Sequence, residues 1–170
     1  QPFILYVGRK DAGKNVGEMV RFFARYHSRR KSDLKLVALG AGSLDVPESL
    51  SGRVLDLGFV PQSDKYDACV AASVLWQPSL NESFSLVLME SWLCGTPVIV
   101  NTRCAATLEQ CMASNGGLFY GDYSEFEACI DWFLADPDQA RRVAQLGKEY
   151  VQRNFHWDRI TERVERALFV

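Results

Sequence analysis

The sequence predicts an α/β protein, a doubly wound, Rossmann-like parallel sheet with helices on both faces. Three observations carry that prediction. Short apolar runs rich in Val, Leu and Ile alternate with helix-like stretches over most of the chain. Several of these runs are β-branched and unbroken, as strands covered on both faces should be. Polar or glycine-bearing loops follow the strands, and in such sheets ligands bind outside the carboxyl ends of the strands.

The elements follow in order. Phe3 to Val7 reads as the first strand, Gly8-Arg9 as its exit and Val16 to Ser28 as the first helix. Leu34 to Leu39 is the second strand, closed by Gly40-Ala41-Gly42, a turn signal without the third glycine of a dinucleotide fingerprint. Val54 to Phe59 is the third, and Gly58-Phe59-Val60-Pro61 ends it with backbone that either faces a flat base or simply terminates the strand. A helix over Tyr66 to Ala72 leads to a fourth strand at Val74 to Gln77. Ser85 to Cys94 is apolar except for Ser85, Glu90 and Ser91, which predicts a buried helix, stopped by Gly95 and Pro97. Val98 to Val100, Thr107 to Ala113, Gly117 to Tyr120 and Ser124 to Ala135 continue as strand, helix, strand and helix. From Asp138 to Phe169 the chain is highly charged, with apolar residues at helical spacing and a break near Asn154, so it reads as two consecutive helices, the second from Trp157 to Leu168.

At 170 residues and 48% hydrophobic composition, one domain spanning 1–170 is expected to bury its own core. Nineteen basic residues against 21 acidic ones give a formal net charge of −2, which leaves no footprint for nucleic acid. The basic cluster Arg25, Arg29, Arg30 and Lys31 sits where cations complement a helix C-terminus. Five cysteines without a C-x-x-C pair indicate neither zinc nor a disulfide framework, and a reducing, cytoplasmic setting is expected. No apolar run reaches ~18 residues, so membrane association is expected only through segments outside this sequence, as peripheral attachment at the inner membrane face. His27 and His156 have no Ser or Cys with an acidic residue in a triad-like context.

The chemistry concentrates in two places. Glu82 and Glu90, with seven residues between them, bracket the start of the fourth strand's following helix, with Asn81, Ser83, Phe84 and Ser85 in a short polar loop. A helix start with free N–H groups favours an anion, most often phosphate. A carboxylate such as Glu90 on a buried helix needs a partner, either an internal donor or ligand hydroxyls. Were the segment helical throughout, the two glutamates would lie ~12 Å apart along the axis, wider than the ~5–9.5 Å of a glycosidase carboxyl pair. The second place is the loop after the first strand, with Gly8, Arg9, Lys10 and Lys14. Lys14 near a helix start is unfavourable to the dipole, and an anion would relieve it. Gly8, Gly13 and Lys14 do not make a Walker loop, because Asn15 stands where Ser or Thr would hold magnesium.

Together these pieces resemble the C-terminal, donor-binding domain of retaining GT-B glycosyltransferases of family 4. The resemblance covers almost the whole chain and rests on Val7-Gly8-Arg9 with Lys14, the strand and glycine turn Val37 to Gly42, Leu57 to Val60, the Glu82/Glu90 pair and Gly95-Thr96-Pro97-Val98. It implies a nucleotide-diphosphate sugar (UDP-, GDP- or ADP-linked) as donor substrate and no metal cofactor, because Arg9 and Lys14 would neutralise the diphosphate. Glu82 would hold hydroxyls of the transferred sugar, with Ser83, Phe84 and Ser85 offering backbone N–H groups to it. Leu86 and Val87 would present N–H groups to phosphate, Glu90 would accept from the ribose, and Gly8, Asn81 and Val60 would line the sugar and the base. On that pattern Glu82, Arg9 and Lys14 are the catalytic group.

The sequence departs from the family in two respects. Many members have Gly at Ser83 and Ser85, and Arg103 to Gln110 lacks the Gly-rich turn and Pro-Glu, although Glu109 falls near the acidic position. The resemblance also implies a preceding N-terminal domain of the same polypeptide that carries the acceptor site, with the tail helices crossing back to it. The chain would then be the donor half of an enzyme, inactive in transfer by itself. A non-catalytic nucleotide-binding or interaction module of the same fold, and half of a nucleotide-sugar epimerase, are the alternatives.

Overall fold

The computed structural model describes residues 1–168, so Phe169, the last position of the predicted tail, lies outside the described residues. Six strands form one sheet: β1 (Phe3–Val7), β2 (Lys35–Leu39), β3 (Val54–Gly58), β4 (Val74–Gln77), β5 (Val98–Asn101) and β6 (Gly117–Tyr120). Their order is β3-β2-β1-β4-β5-β6 and every pairing is parallel. Helices α1 (Val16–Arg30), α2 (Gln62–Ala71), α3 (Leu86–Leu93), α4 (Ala105–Ser114), α5 (Tyr123–Ala135), α6 (Pro137–Phe155) and α7 (Trp157–Leu168) connect and cover the strands.

The period-two alternation of strand side chains divides the core into two layers. Ile4, Tyr6, Leu36, Trp76 and Ile99 point to one face, where they meet Met19 and Phe23 of α1 and Phe126 and Ile130 of α5. Leu5, Val37, Leu75, Val98 and Val100 point to the other, against Leu88 and Trp92 of α3 and Val151 of α6. Each such fully buried large apolar side chain contributes about 1.5–3 kcal/mol relative to exposure. Trp76 stacks on Phe126 with centroids 4.1 Å apart and donates its indole N–H to the Tyr120 hydroxyl at 3.0 Å.

Several boundaries differ from the sequence reading, for local reasons. Helix α2 begins at Gln62, directly after Pro61, and not at Tyr66. The polar run Gln62 to Lys65 forms the first turn, whose fixed entry the preceding proline supplies. Helix α3 starts one residue late because Ser85 is left-handed, at φ 67° and ψ 74°. It is also not apolar-buried all round: Leu86 is 70% and Leu93 46% exposed. Strand β3 is an edge strand, with Leu57 exposed within it and Phe59 just after it, and not a covered one. The tail forms the two helices expected, broken at His156, and α7 has no buried residue. No helix among the described residues is long and apolar enough to cross a membrane.

The strand order sets the place of the site. Because β1 lies between β2 and β4, the chain reverses its direction of travel across the sheet there, and the loops leaving β1 and β4 diverge at the carboxyl edge. A crevice at such a switch point is where open α/β sheets hold ligands.

Candidate functional site: a crevice between the first and fourth strands

The wall from β1 is stiff. The Gly8 N–H donates to the Leu39 carbonyl at 3.0 Å and the Tyr6 hydroxyl donates to the Arg9 carbonyl at 2.5 Å. Burial first, then the charges of Asp11 and Glu82, raise the Tyr6 pKa far above that of a free phenol, so it remains a neutral donor. Gly40 at φ +120° lets β2's exit pass under this loop: a Cβ there would lie 2.2 Å from the Gly8 carbonyl oxygen. Of the loop's three cations, one is turned inward. Lys10 has a side chain with no exposure and bridges Asp56 at 2.7 Å while donating to the Gly40 carbonyl at 2.5 Å. Burial works against the charge of Asp56, but the Lys10 hydrogen bond and the Leu44 and Gly58 amides together hold its carboxyl below the usual range. Lys10 thus ties the loop to β2 and β3, leaving Lys14 toward the crevice and Arg9 in solvent. The Arg9 side chain is 75% exposed, 3.6 Å from Asp11.

Lys14 ends a short 3-10 turn over Ala12–Lys14, outside α1, which removes the expected conflict with the helix dipole. Its ammonium donates to Glu82 Oε1 at 2.6 Å, joining the two walls. Asn15, left-handed at φ 56°, donates its side-chain amide to Glu18 at 2.8 Å and to the Pro78 carbonyl at 3.2 Å, a second tie.

The wall from β4 is built around Gln77, a residue the sequence reading passed over. Its buried side-chain amide donates to Glu82 Oε1 at 3.3 Å and to the Ser85 hydroxyl at 3.1 Å. Asn81, Ser83 and Leu86 are exposed, so the loop forms an open shelf. Among the described residues no acceptor meets the backbone N–H of Ser83, Phe84, Ser85, Leu86 or Val87, and Ser85 makes no capping bond. Five consecutive N–H groups at a helix start are a ready site for anionic or hydroxyl oxygen.

Glu90 lies farther along α3, with its side chain 27% exposed. Its internal partner is Lys65, at 2.7 Å, with the Tyr66 hydroxyl at 3.4 Å. Burial alone would lower the Lys65 pKa, yet the Glu90 hydrogen bond and charge outweigh it and hold it above that of an ordinary lysine. Neither Lys65 nor Gln77 stood out in the sequence, because nothing in a lysine within a polar run or a glutamine at a strand end announces its partner. Val60 is half-buried against the second core layer, next to exposed Phe59.

The loop after β5 is held by side-chain bonds. Buried Asn101 accepts from the Arg103 N–H at 3.0 Å and donates to Glu18 at 3.1 Å, and Arg103 reaches Glu18 at 2.5 Å. Glu109 is exposed on α4, beside Met112, and is not brought to this edge. A depression of about 590 Å³ lies between α1 and residues 43–47, lined by Lys10, Asp11 and Arg21 among others, and includes neither glutamate.

Residues 1–150 match the family model described as glycosyl transferases group 1. The chain belongs to that family. The group 1 domain is 30% identical over 177 residues to D-inositol 3-phosphate glycosyltransferase of Acidothermus cellulolyticus, a match covering 95% of this chain and 39% of that protein. Sucrose-phosphate synthase from Thermosynechococcus elongatus superposes with a TM-score of 0.80 at 29% identity, over 99% of this chain and 45% of that one. Anabaena HepE in complex with UDP and glucose shares the fold, with a TM-score of 0.81 at 17% identity over 98% of this chain and 47% of that one. The chain therefore spans less than half the length of these relatives.

Proposed function

We propose that this chain is the donor-binding domain of a retaining hexosyltransferase and holds a nucleoside diphosphate sugar in the crevice between β1 and β4. The observation that carries the reading is the run of five unpartnered N–H groups from Ser83 to Val87, flanked by Glu82 and Glu90. A nucleotide sugar presents, in sequence, sugar hydroxyls, two phosphates and ribose hydroxyls, and this edge offers acceptor, donors and acceptor in the same sequence. HepE, solved with UDP and with UDP-glucose, makes those the first ligands to try.

Each residue then has a part. Glu82 accepts from sugar hydroxyls while Ser83, Phe84 and Ser85 donate to the sugar, beside Gly8 and Asn81. Leu86 and Val87 donate to phosphate. Arg9, exposed beside Asp11, and Lys14, released from Glu82, neutralise the charge that grows on the departing diphosphate as the sugar bond breaks, the kind of preorganised stabilisation that lowers such barriers most. That division of labour assigns the diphosphate to the two cations rather than to a divalent ion. Glu90 exchanges Lys65 for the ribose, and Val60 lines the base. The acceptor would be held by an N-terminal domain of the same polypeptide, against which the stripe Trp157, Ile160, Val164 and Leu168 of α7 packs. That stripe is exposed at 74% for Trp157 and 69% for Leu168.

Calorimetric titration with UDP-, GDP- and ADP-glucose against the free nucleotides tests the reading. The expected result is one base preferred and tighter binding when the sugar is present. Equal affinity with and without sugar for every base would favour a nucleotide-binding module that performs no transfer.

A further inference from the structure

The shelf that carries the five free N–H groups is fixed unevenly. Glu82 is held by Lys14 and Gln77, and Ser85 by Gln77. Between them, neither Ser83 nor Phe84 takes part in a hydrogen bond among the described residues. The middle of the shelf therefore depends on the Phe84 ring. That ring meets Phe155, the last residue of α6, edge to face, with centroids 5.2 Å apart and planes at 78°. Phe155 in turn meets Tyr150 at 5.7 Å, and Tyr150 meets Trp92 of α3 at 6.1 Å, both tilted toward edge-on.

This file of four rings rests on a fixed base. Helix α6 lies directly against α3: a Cβ on Gly147 would come within 2.3 Å of Trp92 Cδ1. Trp92 has no exposure and donates its indole N–H to the Gly116 carbonyl at 2.8 Å. Tyr150 donates its hydroxyl to Gln110 of α4 at 2.6 Å. Trp92 and Tyr150 are thus anchored independently of the shelf, and Phe155 extends that anchorage to the Phe84 ring, which also rests on the second core layer.

We propose that Phe155 is a positioning residue for donor binding, which keeps the Ser83 and Phe84 N–H groups aimed into the crevice by clamping the Phe84 ring against the α3–α6 pair. The consequence for ligands rests on the donor reading above, whereas the clamp itself does not. Phe155 touches no substrate. Its effect falls on the sugar end, which those N–H groups serve, and spares the diphosphate end, which Arg9, Lys14 and the start of α3 serve.

Backbone ¹⁵N relaxation on the ligand-free chain, comparing wild type with Phe155→Ala and Phe155→Leu, reads the clamp without any ligand. In Phe155→Ala the order parameters of the Ser83 and Phe84 amides should fall from about 0.85 toward 0.6, with β1 and β4 unchanged. Phe155→Leu, which keeps an apolar contact, should retain most of the rigidity. Titration of the same proteins gives the second readout: UDP-glucose should weaken about three- to tenfold in Phe155→Ala, as expected for loss of one aromatic edge contact, and UDP less than about twofold. Unchanged order parameters at Ser83 and Phe84, or equal weakening of both ligands, would overturn the proposal. If wild type binds neither ligand, the donor reading falls and the relaxation result alone decides the clamp.

Discussion

Lys14 Nζ and Glu82 Oε1 lie 2.6 Å apart across 68 positions of sequence and join the two walls of the crevice. Both side chains are mostly shielded, at 20% and 11% exposure, yet open on one side to solvent. A pair in that setting is worth little to stability, about 0.5–1.5 kcal/mol. Its charges are therefore available to a ligand at small cost. A double-mutant cycle of Lys14→Ala and Glu82→Ala, read by thermal unfolding, should show a coupling of that size. Each single change should lower Tm by about 2–4 °C. A coupling above about 3 kcal/mol would mark the pair as structural and count against its release on binding.

Ser85 is the one residue of the shelf with backbone strain, at φ 67° and ψ 74°. Most side chains resist that conformation, by about 1 kcal/mol or more, and glycine does not. The serine offsets the cost through its hydrogen bond from Gln77. Ser85→Gly, which loses the bond and the strain together, should stay within about 0.5 kcal/mol of wild type. Ser85→Ala, which keeps the strain and loses the bond, should cost about 1–2 kcal/mol. Chemical denaturation that ranks Ala above Gly would contradict the left-handed assignment.

The fold was legible because it follows from patterns that neighbours in sequence create. Unbroken runs such as Phe3 to Val7 and Val98 to Val100 fit covered strands, and the Gly95–Pro97 stop fits a helix end. Of the charges that the sequence singles out as costly, Lys14 and Glu82 are brought together in the candidate crevice, and Glu90 lies farther along α3 on Lys65. What stayed hidden are pairings between distant segments. Lys65 lies in a polar run that reads as loop until Pro61 turns it into a first helical turn, and Lys10 looks like one more loop cation until its side chain is seen buried on Asp56. Nothing in the neighbouring residues announces the left-handed backbone of Ser85 or the Gln77 amide that holds its hydroxyl.

Asp56 and Lys10 set the acid limit of the first loop. Asp56 has its pKa lowered in the folded state, so it contributes stability above the ordinary carboxylate value, about 4, and that contribution is lost as pH falls through the lower folded value. Asp56→Asn should flatten the fall in stability on acidification below about pH 4. Asp56→Ala should cost about 3 kcal/mol near pH 7, because it leaves the Lys10 ammonium buried without its counter-charge. Denaturation midpoints at several pH values check both, and an Asp56→Asn curve parallel to wild type would show the pair to be incidental.

The thiols report the packing of α2, α4 and α5. Burial pushes Cys69 up to about 12, Cys111 up to about 12 and Cys129 up to about 11. Cys94, next to the end of α3, is only partly buried. With iodoacetamide at pH 8, Cys94 should be alkylated at least about tenfold faster than these three, since the thiolate is the reactive form and access limits the rest. Peptide mass spectrometry over a time course reads the order directly. Early labelling of Cys111 would mean that α4 does not pack on the sheet as described.

The central claim is that Glu82 serves the sugar and Glu90 the nucleoside of one bound donor. Calorimetric titration of wild type, Glu82→Gln and Glu90→Gln with UDP and with UDP-glucose tests it most directly. Glu82→Gln should weaken UDP-glucose about tenfold, the loss of roughly 1.4 kcal/mol expected for a hydrogen bond to a charged group, and leave UDP unchanged. Glu90→Gln should weaken both by the same factor. If Glu82→Gln binds UDP-glucose as wild type does, or if both variants weaken both ligands alike, the assignment of the two glutamates to the two ends of a nucleotide sugar is wrong.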